Sequence, residues 1–124
     1  MELLSRVAST SSPAVNFDAK TGQLTMSGES YPENTFEFYA PVIGWLKEFV
    51  AGTDIPVVLT LELAYLNTGS VKCLMDIFDV LEDAWQEGRQ VSVIWRYHQK
   101  NTRALETAEE FSEDLSLPFQ IEAI

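Results

Sequence analysis

Cysteine is almost missing from this chain, with Cys73 its single representative. An internal disulfide is excluded, and the fold must be held by packing, as suits a reducing compartment. Histidine is as scarce: His98 stands alone, so a zinc or other N/S metal centre lacks a ligand set. No apolar run approaches the roughly 20 residues needed to span a bilayer. The opening Met1-Glu2-Leu3-Leu4-Ser5-Arg6 lacks the basic-then-apolar order of a signal peptide. There is no glycine-rich phosphate loop, no Gly-x-Ser-x-Gly elbow, no internal repeat and no low-complexity tract. Basic residues are few as well. Eight Lys and Arg against 19 Asp and Glu leave a net charge of −11. Nucleic acids and anionic membranes require neutralising cations, so neither is an expected partner, whereas basic docking surfaces are favoured. These absences predict a cytoplasmic protein with no cofactor and no membrane insertion.

What the chain does contain suffices for one core: 124 residues, 46% of them hydrophobic, with seven Phe, four Tyr and three Trp. The stretch Val57 to Leu66 is β-branched and apolar, which predicts a strand buried on both faces under flanking helices. Asn67-Thr68-Gly69-Ser70 follows, then an amphipathic run from Val71 to Glu87. There Val71, Leu74, Phe78, Leu81 and Trp85 recur at helical spacing, with Lys72, Asp76, Asp79, Asp83 and Gln86 opposite. Upstream, Ala14–Asp18 and Gln23–Gly28 alternate around Ala19-Lys20-Thr21-Gly22, the pattern of a β-hairpin. A helix is expected from about Ala40 to Val50, because Pro41 belongs in a first turn. Downstream come a strand at Val91–Tyr97, a helix at Arg103–Leu115 and a last strand from Phe119. Residues 1–12, polar and rich in Ser and Thr, read as a flexible arm before a domain at 13–124. The order β-β-α-β-α-β-α-β predicts a single small α/β domain, with a mainly parallel sheet and an antiparallel N-terminal hairpin.

Candidate chemistry is thin. Cys73 reads as a core residue and His98 as a loop residue. Asp76, Asp79 and Asp83 project from the polar face of a helix, so a solvated face explains them better than a metal site. Asn67-Thr68-Gly69-Ser70 stands apart, because a strand there hands over to a helix at the usual functional edge of an α/β sheet. Capping explains those residues. A second reading makes Thr68 a phosphate acceptor, its charge tolerated by the helix N-terminus and offset by Lys72 one turn on. The two readings do not exclude each other. Tyr31-Pro32-Glu33-Asn34 reads either as a structural turn with a cap or as a loop bordering Thr68 that helps bind a partner.

Several of these stretches also carry a family resemblance. Ser30-Tyr31-Pro32-Glu33-Asn34, Phe38-Tyr39-Ala40-Pro41-Val42 with Trp45-Leu46, Tyr65-Leu66-Asn67-Thr68-Gly69-Ser70-Val71-Lys72 and Pro118-Phe119 resemble the SiaC family of bacterial regulatory phosphoproteins. The likeness runs from about Pro13 to Phe119. It implies a STAS-like, anti-anti-sigma-like fold and a non-catalytic partner switch. A Ser/Thr protein kinase would phosphorylate Thr68 and a PP2C-type phosphatase would reverse it. The unphosphorylated form would bind and activate a diguanylate cyclase, promoting cyclic-di-GMP synthesis and biofilm formation. Two positions depart from the family pattern: Gly69, where Ser is frequent, and Arg96, inserted between Trp95 and Tyr97. A phosphorylation-independent adaptor, or a small enzyme or ligand-binding domain using the same edge, are the alternative readings.

Overall fold

The computed structural model describes residues 1–124. In chain order its elements are β1 (Leu4–Arg6), β2 (Ala14–Phe17), β3 (Gln23–Ser30), α1 (Thr35–Gly52), β4 (Val57–Leu66), α2 (Thr68–Gln86), β5 (Val91–Tyr97), α3 (Thr102–Glu113) and β6 (Phe119–Ala123). They form one α/β domain around a six-stranded mixed sheet, ordered β1-β2-β3-β4-β5-β6. The pairings β1·β2 and β2·β3 are antiparallel, while β3·β4, β4·β5 and β5·β6 are parallel. This is the fold class that the order of elements predicts.

One expectation is corrected. In β4, Val57, Leu59, Leu61 and Leu63 are buried while Glu62, Ala64 and Tyr65 are exposed. The alternation recurs in β3, where Leu24 and Met26 are inward, and in β5, where Val91, Val93 and Trp95 are. Successive side chains of a strand point to opposite faces, so only one face of this sheet is packed. Strand order supplies the reason. The three parallel crossovers all step the same way along the sheet, and right-handed connections then put every helix on one side. Fully buried residues of α1 (Tyr39, Val42, Leu46, Phe49) and α2 (Leu74, Ile77, Leu81) meet Leu59, Leu61, Val93 and Trp95 there. Each such aliphatic or aromatic side chain contributes about 1.5–3 kcal/mol on burial.

Two boundaries differ from the sequence reading. Helix α1 starts at Thr35 rather than near Ala40, capped by Asn34, whose side chain accepts from the Glu37 N–H at 3.0 Å. Pro41 therefore lies inside it. It sits on the exposed side, where water can serve the Glu37 carbonyl that it leaves without a donor. The first residues contain β1, paired with β2 from Leu4↔Phe17 to Arg6↔Val15, and Trp45 Nε1 donates to the Glu2 carbonyl at 2.8 Å.

At the opposite end of the helical layer, Arg89 holds the C-terminus of α1. Its guanidinium donates to the carbonyls of Val50 (3.0 Å), Thr53 (2.6 Å) and Ile55 (2.8 Å). This side chain is structural.

Candidate functional site

Parallel strands and right-handed crossovers bring the carboxyl ends of β3 to β6 and the N-termini of all three helices to one edge. Each helix there opens on the same dipeptide: Asn34-Thr35, Asn67-Thr68 and Asn101-Thr102. Each asparagine is an N-cap. Its side-chain oxygen accepts from the backbone N–H three residues on, at 3.0 Å for Glu37, 2.8 Å for Ser70 and 3.1 Å for Ala104. The capping role of Asn67 is thus established by geometry. The handover to α2 is shorter than the sequence suggests, since Thr68, Gly69 and Ser70 already form its first turn.

The three threonines differ in surroundings. Thr35 is half-buried against Gly69, where an added Cβ would collide with the Thr35 side chain. Thr68 and Thr102 are exposed. At the end of β4, the Tyr65 ring meets the Tyr31 ring edge to face with centroids 5.9 Å apart, and both are exposed. Tyr65 lies two residues before the cap, and Tyr31 follows Ser30, whose carbonyl accepts the Asn67 N–H at 2.9 Å. Lys72 follows Thr68 by four residues, hence on the same helix face. It is exposed and forms no ion pair. The N–H groups of Thr68 and Gly69, in the first turn, have no intrahelical acceptor. An exposed hydroxyl, free amides and an unpaired cation suit a phosphate at this point.

Beneath the turn lies a buried polar cluster. Ser30 Oγ is 2.7 Å from Ser70 Oγ and 2.6 Å from the Tyr39 hydroxyl, and Ser70 Oγ donates to the Ser30 carbonyl at 3.0 Å. Ser30, Tyr39 and Ser70 are each fully buried. Burial raises the Tyr39 phenol above its ordinary value, with the nearby Ser30 and Ser70 hydroxyls acting the other way. It therefore stays protonated and able to donate. The Asn67 N–H closes the cluster on the Ser30 carbonyl at 2.9 Å. Of these residues the sequence assigns Asn67 and Ser70 to the site, whereas Ser30 and Tyr39 stand only within the stretches that carry the family resemblance, with no role of their own. Their signals were faint: a serine on the inward phase of β3, and a tyrosine in register with Val42, Leu46 and Phe49.

The remaining candidates fall into place differently. Asn34 caps α1, and Glu33 and Asn34 line an open depression with Arg6, Phe36 and Glu37. Pro32 is half-buried in the same connection. Cys73 is buried, and burial together with the Asp76 carboxylate pushes its thiol up. Asp76, Asp79 and Asp83 are exposed, as expected. Glu82, partly exposed, is engaged by hydrogen-bond donors. It accepts from the Ser116 and Leu117 N–H groups at 3.0 and 3.1 Å, from Gln86 at 2.8 Å and from the Ser116 hydroxyl. Burial opposes its charge, but these bonds prevail and hold the carboxyl at about 2. Arg96 points away from Thr68, onto the open sheet face, where it lies 3.7 Å from both Glu62 and Glu122. Trp95 beside it is fully buried.

With the geometry in hand, comparison with known proteins gives the chain its place. A model of the SiaC family regulatory phosphoprotein matches residues 7–124. The chain belongs to the SiaC family. An uncharacterized protein of Pseudomonas aeruginosa (strain UCBPP-PA14) is 50% identical over 113 residues, covering 91% of this chain and 90% of that protein. The crystal structure of apo-SiaC from Pseudomonas aeruginosa superposes with a TM-score of 0.96 at 47% identity, covering 99% of this chain and all of the other. A chain in the crystal structure of the diguanylate cyclase SiaD in complex with its activator SiaC, from the same organism, gives 0.95 at 48%, covering 98% and 99%. The SiaC family member in that complex is thus the activator of a cyclase.

Proposed function

We propose that this protein is a non-catalytic, phosphorylation-controlled partner switch of the cytoplasm. Its unphosphorylated form binds and activates a diguanylate cyclase, raising cyclic-di-GMP and promoting biofilm formation. Phosphate on Thr68, added by a Ser/Thr kinase and removed by a PP2C-type phosphatase, ends that contact. One observation carries the reading. Thr68 is an exposed hydroxyl on the first turn of a capped helix, one turn before the unpaired Lys72 and three residues after Tyr65, whose exposed ring meets that of Tyr31. The aromatic pair offers a partner apolar area with little side-chain entropy to lose. A phosphate of about −1.5 to −2 charge on Thr68 would have to be desolvated whenever a partner covered it. Tyr31, Pro32, Glu33 and Asn34 then form the flank of the contact, with Asn67, Gly69, Ser70 and Lys72 shaping the phosphosite. The cyclase complex of the homologue supports the choice of partner.

The test measures cyclase affinity for the unmodified protein, the phosphoprotein, Thr68→Ala and Thr68→Glu. Thr68→Ala should bind like the parent, while the phosphoprotein and Thr68→Glu lose tenfold or more, about 1.4 kcal/mol per decade. Equal affinities across all four would overturn the switch. The triple occurrence of Asn-Thr caps favours one competing reading, in which Asn67-Thr68 is an ordinary helix start and the protein a constitutive adaptor. Phosphopeptide mapping of the protein from its own cells separates the two.

A further inference from the structure

The three hydroxyls beneath Thr68 come from three elements: the end of β3, the second turn of α1 and the first turn of α2. Their protons can be assigned by counting. The Ser30 carbonyl can only accept, so the bond at 3.0 Å uses the Ser70 proton. Ser30 Oγ, 2.7 Å from Ser70 Oγ, must then donate to it, which leaves Tyr39 to donate to Ser30 Oγ across 2.6 Å. The relay runs in one direction, from Tyr39 to Ser30 to Ser70 to the Ser30 carbonyl, with three protons serving three bonds. No member is left unpaired, which is the condition under which a buried polar network rigidifies rather than weakens a core.

Thr68 itself is exposed, and its side chain forms no hydrogen bond within the protein. Its position is set by its neighbours. Asn67 donates its N–H to the Ser30 carbonyl at 2.9 Å, and Ser70 enters the relay. We infer that the Tyr39–Ser30–Ser70 relay is a latch that fixes the Thr68 turn to the end of β3, with Tyr39 and Ser70 as positioning residues for the phosphoacceptor. The inference deepens the switch reading and takes its functional meaning from it, but the latch is testable without a kinase. Helix ends open locally far more readily than cores do. A turn that carries a modification and a partner contact gains from being held, because the competent geometry is then populated in advance.

Backbone amide exchange by NMR decides the matter. Tyr39→Phe retains the packed ring and deletes the first donor, and Ser70→Ala deletes the last link. In either variant, exchange at Asn67, Ser70 and Val71 should rise roughly two- to tenfold more than at Leu59 and Leu61 in the central strand. The double variant should show no larger excess than Ser70→Ala alone, since the path from Tyr39 to α2 is already cut. A uniform rise along the chain would make these hydroxyls ordinary core groups and overturn the latch, as would an additive excess in the double variant. If Ser70→Ala does not fold, Tyr39→Phe decides alone by the same local-against-core comparison. Phosphopeptide mapping of the parent runs beside it. An unmodified Thr68 there defeats the switch, while the exchange pattern still decides the latch.

Discussion

Asn34, Asn67 and Asn101 do the same work at three helix starts, and that sharpens what is particular to Thr68. Replacing Asn67 with Ala should cost about 1 kcal/mol, a fall of roughly 3–6 °C in Tm for a chain of this size. Asn101→Ala should cost somewhat more, because its Nδ2 also donates to the Ala64 carbonyl at 3.0 Å. Thr102 has the same preceding residue and the same exposure as Thr68, but the residue one turn on is Glu106 where Thr68 has Lys72, so a phosphate there would meet a like charge. Thr102→Ala should therefore leave phosphate incorporation unchanged in mass spectrometry, whereas Thr68→Ala abolishes it. Glu82 gives a pH prediction. Its carboxyl lies at about 2 when folded against an ordinary 4.5, so its stabilising contribution is complete above about pH 5. That contribution is lost as pH falls from about 4.5 to 2. The Tm advantage of the parent over Glu82→Gln should shrink across that window and vanish near its lower end. An advantage constant with pH would show that the charge plays no part in holding Ser116 and Leu117.

At the level of elements, the first turns of α1 and α2 approach so closely that position 69 has no room for a side chain. A Cβ on Gly69 would meet Thr35, including its Cγ2 at 2.9 Å and its Cβ at 3.1 Å. Rotating Thr35 about χ1 exchanges one obstruction for another. Gly69→Ser should therefore destabilise by about 1–3 kcal/mol, the usual cost of overpacking, and Thr35→Ala in the same chain should recover much of it. Thermal unfolding of the four-member cycle measures the coupling. The same elements mark where sequence reading ends. Strands β2 to β6 and all three helices were legible because each carries its own period of two or about 3.6. The one-sided sheet was legible too, in the alternation Leu59-Thr60-Leu61-Glu62-Leu63, but apolar content outweighed it. Strand β1 has no such signal, since Leu4-Ser5-Arg6 is extended only by its pairing with β2. The early start of α1 was hidden by Pro41, whose missing N–H is tolerated on an exposed face. At the site, Asn67 and Thr68 could be found because cap chemistry is local. The relay could not, because Ser30 and Ser70 are 40 residues apart and only the β3·β4 register, Ser30↔Leu66, brings them together.

For the molecule as a whole, the question is how one phosphate can matter on a surface that is already strongly acidic. The net charge is −11, and a phosphate adds about −1.5 to −2, a change of under about a fifth. Beyond roughly 8 Å at physiological salt that difference is largely screened. Long-range steering of a basic partner, which depends on the summed field, is therefore little altered by modification. On the proposed function the switch would act in contact, where a phosphate on Thr68 would be stripped of water as a partner covered this end of α2. These two regimes separate kinetically, because steering governs association and desolvated contacts govern dissociation. Rapid-mixing measurements on the cyclase complex should then show association slowing markedly with added salt for both forms of the protein. Phosphorylation of Thr68 should change the association rate by less than about threefold and raise the dissociation rate about tenfold or more. If the loss of affinity instead resided in association, and added salt restored it, the phosphate would be acting through the field of the whole protein. The Thr68 turn would then be one convenient place for a charge rather than the edge of a docking surface.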